Sequence, residues 1–230
     1  MGIAMKKTLD IFFPAAALAA VISALAAVFL YAPVERTMGL VQKIFYFHLG
    51  SAAAAFLAFT VVLVSSVFYL VSRSPRWDTV ALAAAETGVL FCTLVLITGP
   101  LWARPVWGKW WVWDPRLTTT LILWFLYVGY MVIREALPGP RGALAAGVFG
   151  ILAYVDVPIV YFSIRWWRGI HPVVIRGGNV GLDAGMIPPL IISLAAFVLL
   201  LAALTRERYN IGNLELRIQQ LEVSSKEDTP

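Results

Sequence analysis

The chain carries two histidines, His48 and His171, and both sit among aromatic residues. His48 lies in Phe45-Tyr46-Phe47-His48-Leu49-Gly50-Ser51, and His171 follows Trp166-Trp167-Arg168-Gly169-Ile170. Between them, Trp107, Trp110, Trp111 and Trp113 fall within seven residues and are closed by Asp114-Pro115-Arg116. Neutral imidazole is the commonest metal-ligating side chain. A zinc site takes three or four ligands, and the chain has no third histidine. Haem iron needs only axial donors, with an apolar surface for the plate and cations for its propionates. His48, His171, the tryptophan run and Arg104, Lys109, Arg116, Arg168 or Arg176 make up such a set.

The tryptophan run has two physical readings. Tryptophans settle at membrane interfaces as an aromatic belt, but belts scatter them among helix ends rather than placing four in seven residues. That density favours a platform for a flat, amphipathic ligand. If the run is helical, Trp107, Trp110, Trp111 and Asp114 share one face. Trp113 then points elsewhere and is available to pack on the protein. Asp114-Pro115 predicts a helix start, because Asp is a favoured N-cap and Pro is tolerated at the first helical position.

These residues must be held by a membrane bundle. Of the 230 residues, 60% are hydrophobic and 13% charged, against about a quarter charged in soluble domains. Six apolar segments, at about 11–32, 44–72, 79–101, 116–137, 143–165 and 186–205, reach the ~20 residues that a span requires. Period-two alternation is absent, so the fold class is all-α, a polytopic bundle of six transmembrane helices. Lys6 and Lys7 precede a first apolar run longer than a signal peptide's 7–15-residue core, so a retained first helix is expected. The domain reading is a six-helix unit over 1–205 and a tail over 206–230, with Leu214, Ile218 and Leu221 spaced as a short amphipathic helix.

Six spans put both termini on one side, taken as cytoplasmic, and both histidines and the tryptophan run on the other. Pro172 disfavours helix at His171, which places that histidine on an outer loop. The outer side carries Arg36, Lys43, Arg104, Lys109, Arg116, Arg165, Arg168 and Arg176 against Glu35, Asp114 and Asp183. Basic residues are normally kept off the translocated face, so this excess predicts attraction of an anionic ligand. The small residues Gly50, Ser51 and Ala52 to Ala55 leave room for another helix or a planar ligand.

Other chemistry is thinly represented. Cys92 is the single cysteine and lies inside a span, so the chain has no CxxC redox pair. Walker A and GxGxxG loops are absent, and nothing forms a catalytic constellation, so no enzyme activity and no nucleic-acid partner are expected. Glu86 and Asp156 fall within spans, where ionisable groups are costly. Structural hydrogen bonding is favoured over a proton role for both.

Trp107 to Thr119 (WGKWWVWDPRLTT) resembles the tryptophan-rich WWD motif of the haem-handling superfamily. Six spans, one pair of histidines and Val155-Asp156-Val157-Pro158-Ile159-Val160-Tyr161-Phe162-Ser163 are similar to its smallest branch, the cytochrome c maturation protein C (CcmC) family, over about residues 10–205. The resemblance implies that His48 and His171 are axial ligands of a transiently bound, non-covalent haem b, with the WWD run holding the porphyrin edge. It implies a multi-pass protein of the bacterial inner membrane that presents haem on the periplasmic face to a haem chaperone. It also implies partnership with ABC transporter permease and ATPase subunits, a small membrane subunit and membrane lipid. The alternatives are a membrane b-type cytochrome in electron transfer, holding permanent haem on the same histidines, and a transporter subunit for another anion.

Overall fold

The computed structural model describes residues 3–227 except 37, 138, 168, 170, 172–174 and 177–178; the side chains of 3–7, 175, 176, 179, 180, 219, 223 and 225–227 are also outside the description. Among the described residues, seven α-helices follow in order: α1 (Ile3–Ala26), α2 (Ile44–Ser72), α3 (Pro75–Trp107), α4 (Pro115–Ala136), α5 (Pro140–Ala153), α6 (Asp156–Trp166) and α7 (Ile187–Glu227). Six helical units among the described residues are long and apolar enough to cross a membrane, because α5 and α6 run in tandem as one. The break at Tyr154-Val155 has a local cause: Pro158 has no N–H to give the Tyr154 carbonyl. The one hairpin among the described residues pairs β1 (Ile175–Arg176) with β2 (Asn179–Val180).

Small residues set how closely the helices approach. The most extensive pairing is α2 with α3, and α7 packs on α1, α2 and α3. Ala54, Ala55, Ala58, Ala84 and Ala85 are all buried in the central core, with Phe59 stacked on Tyr127 at 3.7 Å between centroids. A β-carbon on Gly88 would stand 2.6 Å from the Phe59 ring, and one on Gly50 would stand 2.7 Å from the Phe197 ring. The room beside Gly50 is therefore filled by α7, not by a ligand.

Several charged groups of the helices are paired. Glu86 receives two hydrogen bonds from the Arg208 guanidinium, one to each carboxylate oxygen. Asp78 is held by Arg134 at 2.7 Å, and Asp10 by Arg206 at 2.7 Å. Lys43 is buried, with Nζ donating to the carbonyls of Val28 and Phe29 at 2.9 and 3.1 Å. Those two carbonyls belong to a π-helical turn, Ala27–Tyr31, that closes α1. Asp156 is buried, and one of its oxygens has no partner among the described residues.

Two expectations are corrected in shape. The third span continues as helix to Trp107, past Pro100 and Pro105, leaving only 108–114 to link α3 and α4. α7 runs through Thr205 without a break for 41 residues, about 60 Å at 1.5 Å per residue. That is twice the ~30 Å hydrocarbon core, so its polar half extends past the bundle at the end where α1 begins. The opposite end carries the described residues of the segments 32–43, 108–114 and 167–186, hereafter the loop end.

Candidate functional site

Four helices bring the site residues to the loop end, with His48 near the start of α2. Asp114 caps α4: its side chain accepts the Arg116 N–H at 2.9 Å, and Pro115 occupies the first helical position. α3 stops at Trp107 because Gly108 turns left-handed, with φ 70°. α6 ends at Trp166, and His171 follows in non-helical chain. Gly169 lies against the Asp114 carboxylate and the Pro115 ring, which fastens the His171 segment to the start of α4.

The result is a cleft lined by His48, His171, Trp102, Trp107, Trp111 and Arg116, with Val95, Leu96, Gly99, Pro100, Leu117 and Thr120. Each histidine has an aromatic neighbour on α3. The His48 ring lies 6.1 Å from Trp102, and the His171 ring lies 6.1 Å from Trp107 in an edge-on arrangement. His48 Nδ1 is 2.9 Å from Thr98 Oγ1. Gly99 approaches the same imidazole, for a β-carbon there would stand 3.4 Å from His48 Cε1. Arg116 donates to the Tyr161 carbonyl at 2.8 Å.

The electrostatics favour uncharged imidazole. Burial, with the Arg116 guanidinium as a second cause, pushes the His171 pKa from 6.5 down to about 4. His171 is therefore neutral at ordinary pH, the form that ligates metal. Among the described residues, no three His, Cys, Asp or Glu side chains gather into a protein-only metal site.

The tryptophan run does not continue α3, so its predicted common face is not formed. Trp107 and Trp111 line the cleft. Trp110 and Trp113 are 51% and 75% exposed, and Trp113 meets Trp111 edge-on at 5.7 Å instead of packing on the bundle. Arg104 lies over the Trp110 ring at 4.4 Å, and both Arg104 and Lys109 are exposed. Arg168 lies outside the described residues, and Arg176 is described only as backbone in β1. Sequence reasoning missed three neighbours of His48: Thr98, which contacts its ring, and Gly99 and Trp102, which also line the cleft. Their signal was the Thr-Gly-Pro-Leu-Trp segment at the end of a span, where a small residue and a proline interrupt an apolar run.

Comparison with known proteins bears on the whole chain. The family model described as heme exporter protein C (CcmC) matches residues 3–224. The chain belongs to that family. A heme exporter protein C of Bradyrhizobium diazoefficiens is 37% identical over 195 residues, covering 84% of this chain and 74% of the relative. The Haemophilus influenzae protein of that name is 34% identical over 192 residues, covering 80% and 76%. The Escherichia coli K12 protein is 35% identical over 179 residues, covering 77% and 73%. The family match takes in His48, the tryptophan run and His171 together.

Proposed function

We propose that this family member binds haem in the loop-end cleft and presents it for cytochrome c maturation, with His48 and His171 as the axial ligands. The name heme exporter protein C, shared by the relatives, supports haem as the cargo. One observation carries the assignment of residues: a single cleft is lined by both histidines, Trp107, Trp111 and Arg116.

The residues fit a flat plate with a metal at its centre and acids at its edge. His171 Nδ1, Trp102 Nε1, Trp111 Nε1 and Arg116 Nε are buried without partners among the described residues, and all four belong to cleft-lining residues. Buried donors left unpaired are rare in folded proteins, and propionate oxygens would serve those of the indoles and the guanidinium. Bound haem supplies an iron with two axial positions open to imidazole. Trp107 and Trp111 offer apolar faces to the plate, and Trp110, Trp113, Arg104 and Lys109 form an exposed rim. Arg168 and Arg176 are further candidate cations. Asp114 acts by holding the start of α4 and the His171 segment together.

In this reading the loop end faces the periplasm, both termini are cytoplasmic and the bilayer is the bacterial inner membrane. A periplasmic haem chaperone takes the cargo from the exposed rim. ABC transporter permease and ATPase subunits and a small membrane subunit complete the assembly. The test is purification in detergent with a visible spectrum, followed by incubation with a haem-free acceptor protein. Haem that is lost in the His48→Ala/His171→Ala double variant and drawn off by the acceptor supports the reading. Unchanged haem in the double variant overturns the ligand assignment, and haem that no acceptor removes points to an electron-transfer cytochrome.

A further inference from the structure

Thr98 sits on α3 four residues after Leu94 and directly before Gly99, and its hydroxyl has two short contacts. Oγ1 lies 2.6 Å from the Leu94 carbonyl oxygen and 2.9 Å from His48 Nδ1. A hydroxyl has one proton. Two oxygens at 2.6 Å repel unless that proton lies between them, so Thr98 donates to Leu94, the usual back-bond of a helical threonine. The lone pairs of Oγ1 then face His48 Nδ1, and the proton of that contact must come from the ring. The next threonine on the same helix shows the arrangement without ambiguity. Thr93 Oγ1 donates to the Val89 carbonyl at 2.8 Å and receives the Trp124 Nε1–H at 2.8 Å, and indole nitrogen can only donate.

We infer that Thr98 is a positioning residue that fixes His48 as the Nδ1–H tautomer and thereby keeps Nε2 bare on the ring that lines the cleft. The hydrogen-bond partner of one imidazole nitrogen decides which nitrogen is free to bind metal. The threonine is held by its own back-bond and restricted at χ1 by its branched β-carbon, so the imidazole is oriented before any ligand arrives. Gly99 extends the effect, because the absence of a side chain there leaves the Cε1 edge of the ring open. His171 differs: its Nδ1 is buried with no partner among the described residues. Among the described residues the two histidines are therefore unequal, with Nδ1 of His48 anchored and Nδ1 of His171 not.

The tautomer stands on geometry alone, whereas its consequence for iron rests on the function proposed above. The experiment uses the full chain, free of haem, in lipid nanodiscs with ¹⁵N-labelled histidine. With two histidines in the sequence, two-bond ¹⁵N–¹H correlation separates them, and His171→Ala assigns the remaining signal. His48 is expected as Nδ1–H in the wild type and in Thr98→Ser. Thr98→Val should bring in the Nε2–H form. An Nε2–H ring in the wild type, or an unchanged tautomer in Thr98→Val, overturns the inference. Haem titration of the same samples is the second readout: Thr98→Val should weaken binding about 10- to 100-fold, as loss of a ligand's outer partner does, and Thr98→Ser should restore it. If the tautomer shifts but haem affinity does not, Thr98 has no role toward iron. His48→Ala separates the two failures, because unchanged haem binding in that variant sinks the axial-ligand reading and leaves the tautomer result intact.

Discussion

Gly169 and Asp114 touch so closely that a β-carbon on the glycine would lie 2.2 Å from the carboxylate oxygen. The contact joins the segment carrying His171 to the residue that caps α4, and α4 carries Arg116 into the same cleft. The two loops that carry Trp111 and His171 are therefore joined to each other at the start of α4, over a cleft whose other walls are α2, α3 and α4.

Gly169→Ala should push the two loops apart. Asp114 is 5% exposed and tied to Arg116 N–H, so it has little freedom to yield. Gly169 is itself exposed, so the strain falls on the loop that carries His171 and not on the packed bundle. Haem content after purification should fall at least several-fold while thermal unfolding of the bundle shifts little. Wild-type haem content would show that the His171 segment is not fixed through this contact.

The tryptophans should divide into two pairs. Trp107→Leu and Trp111→Leu remove cleft walls, so each should lower haem affinity. Trp110→Leu and Trp113→Leu alter exposed rings and should leave equilibrium haem affinity near wild type while slowing transfer to an acceptor. Equal effects at all four positions in a haem titration would favour a membrane belt.

Haem retention should resist acid until late. A proton and iron compete for the same imidazole lone pair, and a folded pKa lowered from 6.5 to about 4 keeps His171 unprotonated through the intervening range. Retention followed by absorbance should stay level from about pH 7 to about pH 5 and fall near pH 4, where an unperturbed histidine would begin to lose its ligand close to 6.5. Arg116→Gln removes the second cause of the lowering and should move the fall to higher pH.

The bundle itself should fail at Gly88. A β-carbon there meets the Phe59 ring at 2.6 Å, and that ring is stacked on Tyr127 at 3.7 Å with no room to retreat. Gly88→Leu should destabilise the protein by about 1–3 kcal/mol or more, read as a lowered midpoint of thermal unfolding in detergent. Haem bound per folded molecule should not change, because the cleft lies at the loop end. A loss of haem at an unchanged unfolding midpoint would contradict this.

Much of the molecule was readable as a string of residues. Six apolar runs of spanning length determine six helices because a backbone in lipid must satisfy its own hydrogen bonds. An even number of spans brings His48, the tryptophan run and His171 to one end, and Asp114-Pro115 carries its own helix start in its side-chain chemistry. The tertiary structure decided the rest. Gly108 turns left-handed and ends α3, so side-chain directions after Trp107 follow the loop's path and no helical period can forecast them. Packing of α7 on Gly50 decided that the small residues of α2 receive Phe197. The meeting of α2 with α3 brought Thr98, Gly99 and Trp102 to His48, a contact across 50 residues of chain that no local spacing encodes.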